Sequence, residues 1–259
     1  MQTLTFILPS LRQFSTLLAL LILLPLSDGA RAQTERSVQV IQFAKGKNEA
    51  KVTGTIAGRR FIDYQLRAAA GQTLSISLKS QHGSNSFNLL PPGSMDAAMA
   101  IGELSDHAFT GLLPDDGVYT IRVFLMRSAA RRNESSRFDL HVAIEGQPLA
   151  ALSPRTDAMV QGTRFHAVST VTCQPAYSEH RECEAGVVRR GEDGTATVEL
   201  SWPAEGQVRG KRRLLFVKGE PVASDTVQAI RQQRGEQGWL IQFDSDESYT
   251  VPYELVRGG

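Results

Sequence analysis

The stretch Phe61-Ile-Asp-Tyr-Gln-Leu-Arg-Ala68, the link Ala69-Ala-Gly-Gln72 and the run Thr73-Leu-Ser-Ile-Ser-Leu-Lys79 follow one another without a break. In the first, Ile62, Tyr64, Leu66 and Ala68 share one side of an extended chain, and Asp63, Gln65 and Arg67 share the other. In the last, Leu74, Ile76 and Leu78 oppose Thr73, Ser75, Ser77 and Lys79. A period of two marks strands with one buried face, and the glycine-containing link is a turn signal.

The same alternation extends outward. Val118 to Leu125 sets Tyr119, Ile121, Val123 and Leu125 on one face, after the turn Pro114-Asp115-Asp116-Gly117. Phe138 to Ile144 repeats it with Phe138, Leu140, Val142 and Ile144, and short strands are expected near Val52, Phe87, Ala98 and Phe109. About eight short strands with regular turns predict an antiparallel β-sandwich over residues 33–146. Gly146-Gln147-Pro148 to Pro154 has no continuous apolar face, so residues 147–160 are expected to be a linker. Extended patterns resume at Gly162 to Val171, Val187-Val188, Thr195 to Trp202, Arg212 to Val217, Trp239 to Phe243 and Tyr249 to Val256. Residues 161–259 therefore read as a second small antiparallel β domain, and the chain as all-β.

The N-terminus sets the compartment. Arg12 precedes the apolar run Phe14 to Leu26, which exits through Pro25, Ser27, Asp28 and the triplet Ala30-Arg31-Ala32. A charged start, a short apolar stretch and an A-x-A exit predict a secretory signal over residues 1–32, cleaved after Ala32. The run is shorter than the ~20 residues of a membrane span, and no lipoprotein cysteine follows it, so a soluble periplasmic protein without a stable membrane anchor is expected. Lys plus Arg number 28 against 27 Asp plus Glu, a net charge of +1. That balance excludes a polybasic nucleic-acid surface.

Charge is nonetheless concentrated. Arg122, Arg127, Arg131, Arg132 and Arg137 stand against Glu134 alone, directly after a strand. A loop or single helical turn there would present guanidinium forks, each able to grip a carboxylate with two parallel hydrogen bonds. Ser84-Asn85-Ser86-Phe87-Asn88 reads as a polar loop of adaptable hydrogen-bonding side chains. Tyr64 lies on the apolar side of its strand. There is no G-x-S-x-G, H-E-x-x-H, P-loop or G-x-G-x-x-G, and His82, His107, His141, His166 and His180 have no ligand spacing. No enzyme, metal or cofactor is expected.

Asp63-Tyr-Gln-Leu-Arg-Ala68, Gly71-Gln-Thr-Leu74, Asn85 to Leu90, Asp116-Gly-Val-Tyr-Thr-Ile-Arg-Val123 and Leu125-Met-Arg127 through Arg132-Asn-Glu134 resemble the periplasmic inhibitors of goose-type (g-type) lysozyme, over residues 40–146 or so. The run through Arg132-Asn-Glu134 is the specific part; the other pieces are shared with pre-peptidase C-terminal β-sandwiches. The resemblance implies a sandwich that inserts loops into the acidic cleft of a g-type lysozyme and blocks it without chemistry. It carries inhibitory contact onto Arg127, Arg131 and Arg132, onto Ser84, Asn85 and Ser86, and more weakly onto Tyr64. An alternative from another class is a cell-envelope module that binds peptidoglycan or an envelope protein. The second half, through Cys173, Cys183 to Arg190, Thr195 to Val198, Ser201-Trp202-Pro203 and Tyr249 to Gly259, resembles uncharacterised secreted proteobacterial modules, and no activity comes with it. Cys173 and Cys183, ten positions apart in a chain bound for an oxidising space, are expected to form a structural disulfide.

Overall fold

The computed structural model describes residues 36–81, 83–149, 159–191, 193–204, 209–226, 228 and 230–257. The expected signal, its cleavage point at Ala32, His82 and most of the expected linker lie outside the described residues.

Strands dominate, as the alternation requires. The first half contributes β1 (Arg36–Val40), β2 (Glu49–Ala57), β3 (Phe61–Ala68), β4 (Thr73–Ser80), β5 (Asn85–Leu90), β6 (Ala100–Ile101), β7 (Ala108–Leu112), β8 (Gly117–Leu125), the helical turn α1 (Arg127–Arg131) and β9 (Ser135–Glu145). The second contributes β10 (Val168–Gln174), β11 (Arg181–Arg190), β12 (Ala196–Pro203), β13 (Arg209–Val217), β14 (Glu220–Ser224), β15 (Arg231–Arg234), β16 (Gly238–Gln242), β17 (Ser248–Pro252) and the short helix α2 (Tyr253–Arg257).

The first half is a sandwich of a five-stranded sheet, β1-β3-β8-β5-β6, on a four-stranded sheet, β2-β9-β4-β7. Its core is the apolar face read from the sequence: Tyr64, Leu66, Phe87, Leu89, Tyr119, Ile121 and Val123 meet Leu74, Ile76, Leu78, Phe138, Leu140 and Val142. Tyr64 packs edge-on against Phe138, with ring centroids 6.2 Å apart. Pairing is antiparallel throughout except at the edge, where β1 lies parallel to β3. All five residues of β1 are exposed, so no buried face marks it, and it is held by its pairing with β3 and by charge: Arg36 Nε lies 2.8 Å from the Asp63 carboxylate.

The second half is one eight-stranded antiparallel sheet, β14-β13-β12-β11-β10-β17-β16-β15. Side chains from both wings share one cluster, including Val187, Val198, Leu200 and Phe216 with Ile241, Tyr249 and Val251, so the sheet folds over its own inner face. Cys173 and Cys183 are disulfide-bonded on adjacent strands β10 and β11. The sequence pattern misses β15, whose four residues are all exposed, and β14, whose buried residues Pro221 and Ser224 give no apolar period, and it extends the last strand across what is α2.

The two halves meet at the turn Pro114-Asp115-Asp116. Arg189 Nη1 lies 2.9 Å from Asp116, Arg213 pairs with Asp115, and the Thr197 hydroxyl donates to the Pro114 carbonyl at 3.5 Å. A register shift between Val187 and Arg189 marks a β-bulge in β11, a device that re-aims the side chain beside it.

Candidate functional site

β2 belongs to one sheet and β3 to the other; β8 and β9 are divided in the same way. Their two connections therefore cross between the sheets, and strand register puts both crossings at one end of the sandwich. Phe61 at the start of β3 faces Phe124 near the end of β8, and Ala57 at the end of β2 faces Ser135 at the start of β9. The β4–β5 connection reaches the same end, where the Met126 amide donates to the Ser84 carbonyl at 2.8 Å and the Gln81 amide to the Arg137 carbonyl at 3.0 Å.

The crossings lock together. The Gly58 amide donates to the Glu134 carbonyl at 2.9 Å. Gly58 has φ +60° and Asn133 φ 54°; the Asn133 Oδ1 fills the place that a Cβ on Gly58 would take, 2.3 Å away. Glycine adopts that backbone without steric cost, and asparagine is among the few other residues that do so readily. Both are thus selected by the junction.

On this frame sits a groove of about 450 Å³ with an apolar floor of Phe61, Phe124, Leu125 and Ala130, and arginines around it. Arg127 and Arg131 come from α1, and Arg59 and Arg60 from the β2–β3 turn. All four are exposed. Among the described residues, Arg59, Arg127 and Arg131 have no ion-pair partner. Ala129, buried on the inner side of α1, fixes the turn to the core so that its arginines face away.

The arginines of the sequence cluster thus divide by role. Arg127 and Arg131 line the groove. Arg132 pairs with Glu134. Arg137 is exposed on β9. Arg122 is structural: its Nε and Nη2 donate to Asp63 at 2.8 and 3.0 Å, and its guanidinium lies 4.5 Å from the Phe61 ring centre. That hydrogen bonding holds the Arg122 pKa above its ordinary value. Asp63, expected on a solvated face, is fully buried beneath Arg122 and Arg36.

Ser84, Asn85 and Ser86 do not form one loop. β5 begins at Asn85, because Phe87 and Leu89 enter the core and draw the preceding residues into the sheet. Only Ser84 belongs to the connection, where it is half-buried; Asn85 and Ser86 are buried with no side-chain hydrogen-bond partner. Tyr64 is 1% exposed, and burial pushes its hydroxyl pKa up. The sequence reading misses Arg59 and Arg60. Their signal was present as two adjacent cations after a glycine between alternating runs, but which loops share an end is set by the sheet crossings.

The groove can grip carboxylates with guanidinium forks while burying apolar surface. Among the described residues, no group of three or more His, Cys, Asp or Glu side chains forms a metal site.

The inhibitor of g-type lysozyme from Escherichia coli (strain K12) is 30% identical over 139 residues, which cover 52% of this chain and 97% of that protein. The crystal structure of Aeromonas hydrophila PliG, a periplasmic inhibitor of g-type lysozyme, is 33% identical with a TM-score of 0.41, and the match covers 43% of this chain and 98% of that one. Salmonella Typhimurium PliG is 26% identical with a TM-score of 0.36, over 42% of this chain and 98% of that one. No protein-family model matches the chain.

Proposed function

The chain belongs to the family of g-type lysozyme inhibitors, and from that premise we propose that it acts in the periplasm as a proteinaceous inhibitor whose arginine-rimmed end occludes the acidic cleft of such an enzyme. Glycoside hydrolases work through carboxyl groups flanking the scissile bond, and these cannot be removed without loss of activity. A groove that offers several guanidinium forks over an apolar floor matches that constraint. The observation that carries the reading is the convergence of Arg59, Arg60, Arg127 and Arg131 on one groove.

In this reading Arg127 and Arg131 make the central contacts, Arg59 and Arg60 extend them, and Arg132 and Ser84 lie at the rim. Asn85, Ser86 and Tyr64 act from below, as the packing on which the connections rest. The protein performs no chemistry on the enzyme; it fills the sugar path. Periplasmic placement is supported by the PliG relatives and by the secretory signal expected over residues 1–32. The inhibitory work falls to the sandwich, residues 33–146, with residues 161–259 as a separate β domain.

The test is a turbidity assay of g-type lysozyme on a cell-wall suspension, with chicken-type lysozyme in parallel. Selective inhibition of the g-type enzyme, abolished by Arg127→Glu together with Arg131→Glu in a protein that still folds, is the expected result. Full inhibition by that double variant would remove the groove from the contact surface.

A further inference from the structure

The second half carries a surface that the proposed lysozyme contact does not involve. The disulfide between Cys173 and Cys183 clamps the two strands that flank the turn Pro175-Ala-Tyr-Ser178. The Ser178 amide and hydroxyl both donate to the Pro175 carbonyl, at 3.1 and 2.7 Å. Within this fixed turn Tyr177 is held at φ 57° and its residue surface is 95% exposed. A bulky residue in the left-handed region is strained, and such strain clusters at binding sites. A tyrosine ring left in water gains nothing from burial to offset it.

Tyr177 lines a groove of about 660 Å³ whose opposite wall is Trp202. The indole takes the space that Gly210 leaves on the neighbouring strand, where a Cβ would fall 2.2 Å from Nε1, and it is backed by Tyr249 at 5.9 Å between ring centres. Exposed Glu179 and Arg181 also line the groove, and Arg181 Nη1 donates to the Pro203 carbonyl at 3.4 Å, tying one wall to the other.

We propose that this groove binds a glycan strand of peptidoglycan. A pyranose ring has apolar C–H faces and a polar rim of hydroxyls. Aromatic rings fit the faces; a carboxylate and a guanidinium, each offering paired acceptors or donors, fit adjacent hydroxyls. One acid and one base leave the groove without a strong net field, which suits an uncharged polyhydroxyl chain and not a polyanion. Its volume lies in the range of small-ligand sites. Peptidoglycan is chosen among glycans on the lysozyme reading above, since that strand is what such an enzyme cuts; the pyranose chemistry does not depend on that reading.

The experiment is cosedimentation of the purified mature chain with protease-treated sacculi, run beside the lysozyme assay. Wild-type protein is expected in the pellet and is released by β-1,4-linked N-acetylglucosamine oligomers but not by dextran. Tyr177→Ala lowers the pelleted fraction at least fivefold and leaves inhibition unchanged, while the Arg127→Glu and Arg131→Glu double variant pellets like wild type. The same oligomers shift the tryptophan fluorescence of wild-type protein, through Trp202. Protein that stays in the supernatant, Tyr177→Ala that pellets fully, release by dextran, or loss of pelleting in the arginine variant each overturn the proposal. Pelleting only with sacculi that retain bound protein would reassign the groove to a protein partner and overturn it too. Inhibition without pelleting sinks this inference alone, and pelleting without inhibition sinks the lysozyme reading alone.

Discussion

Arg122 closes a two-pronged hydrogen bond on the fully buried carboxylate of Asp63, while Arg36 approaches the same group from the more exposed strand β1. Two cations share one desolvated anion, and they are unequal. Arg122→Ala leaves Asp63 with Arg36 alone and is expected to lower unfolding free energy by about 3 kcal/mol, the lower end of what breaking a buried pair costs. Arg36→Ala keeps the bidentate contact and should cost about 1 kcal/mol or less. Urea unfolding of the two variants checks the order; equal losses would show that β1 is as essential as the bidentate pair.

Arg127 and Arg131 have no ion-pair partner among the described residues, whereas Arg132 already pairs with Glu134. Charge reversal at Arg127 or Arg131 should therefore weaken lysozyme inhibition by tenfold or more, with stability within about 0.5 kcal/mol of wild type, as for surface substitutions generally. Arg132→Glu should do less. Inhibition measured between low and high salt should weaken as ions screen the encounter, and it should do so less in the double variant.

Gly58→Ala tests the junction between the two crossings. The substitution forces a side chain onto a left-handed backbone and into the place held by Asn133 Oδ1. A loss of about 1–2 kcal/mol is expected from the backbone alone. Because the displaced segment carries α1, inhibition should fall together with the thermal midpoint. A variant that loses stability but inhibits fully would show that α1 is positioned independently.

Reducing the bond between Cys173 and Cys183 is expected to act on the second half, where both cysteines lie. A ten-residue separation predicts about 2–3 kcal/mol of lost stability. The Cys173→Ser and Cys183→Ser double variant should keep lysozyme inhibition and unfold at lower denaturant in its second half. Loss of inhibition in that variant would tie the two halves together energetically.

Burial pushes the hydroxyl pKa values of Tyr64, Tyr119 and Tyr249 up from 10.0. A raised folded-state value means that the folded chain holds its protons where the unfolded chain releases them. This stabilisation is complete below pH 10 and is lost as pH rises through and beyond that value. Absorbance at 295 nm should report these three tyrosines ionising together with unfolding. Their ionisation in a still-folded chain would contradict their burial.

Much of the sandwich was legible because its strands bury one face. Tyr64, Leu66, Leu74, Ile76, Tyr119 and Ile121 alternate with polar neighbours, and the core is made of them. Strands without a buried face were not legible: β1 and β15 are exposed along their length and held by backbone pairing and ion pairs, and β14 buries only Pro221 and Ser224, which make no apolar period. Half of the arginine groove was readable as a local excess of charge after β8. The other half, Arg59 and Arg60, was not, since adjacency there depends on two chain segments switching sheets at the same end. Asn85 and Ser86 misled for a related reason. Small polar side chains look like a loop until the aromatic two positions on pulls the backbone into a sheet.

β8 runs from the Asp116 turn that meets the second half to the Met126 turn that launches α1, roughly 26 Å along its axis at 3.3 Å per residue. It is hydrogen-bonded on one side to β3 and on the other to β5. If the arginine end holds an enzyme and the second half holds a wall strand, β8 is one of the strands that a pull between them would load lengthwise. Its inter-strand bonds lie across that direction, so they are strained in shear and must yield as a group and not one at a time. On those two proposals, β8 would act as a stiff mechanical link between the captured enzyme and the wall.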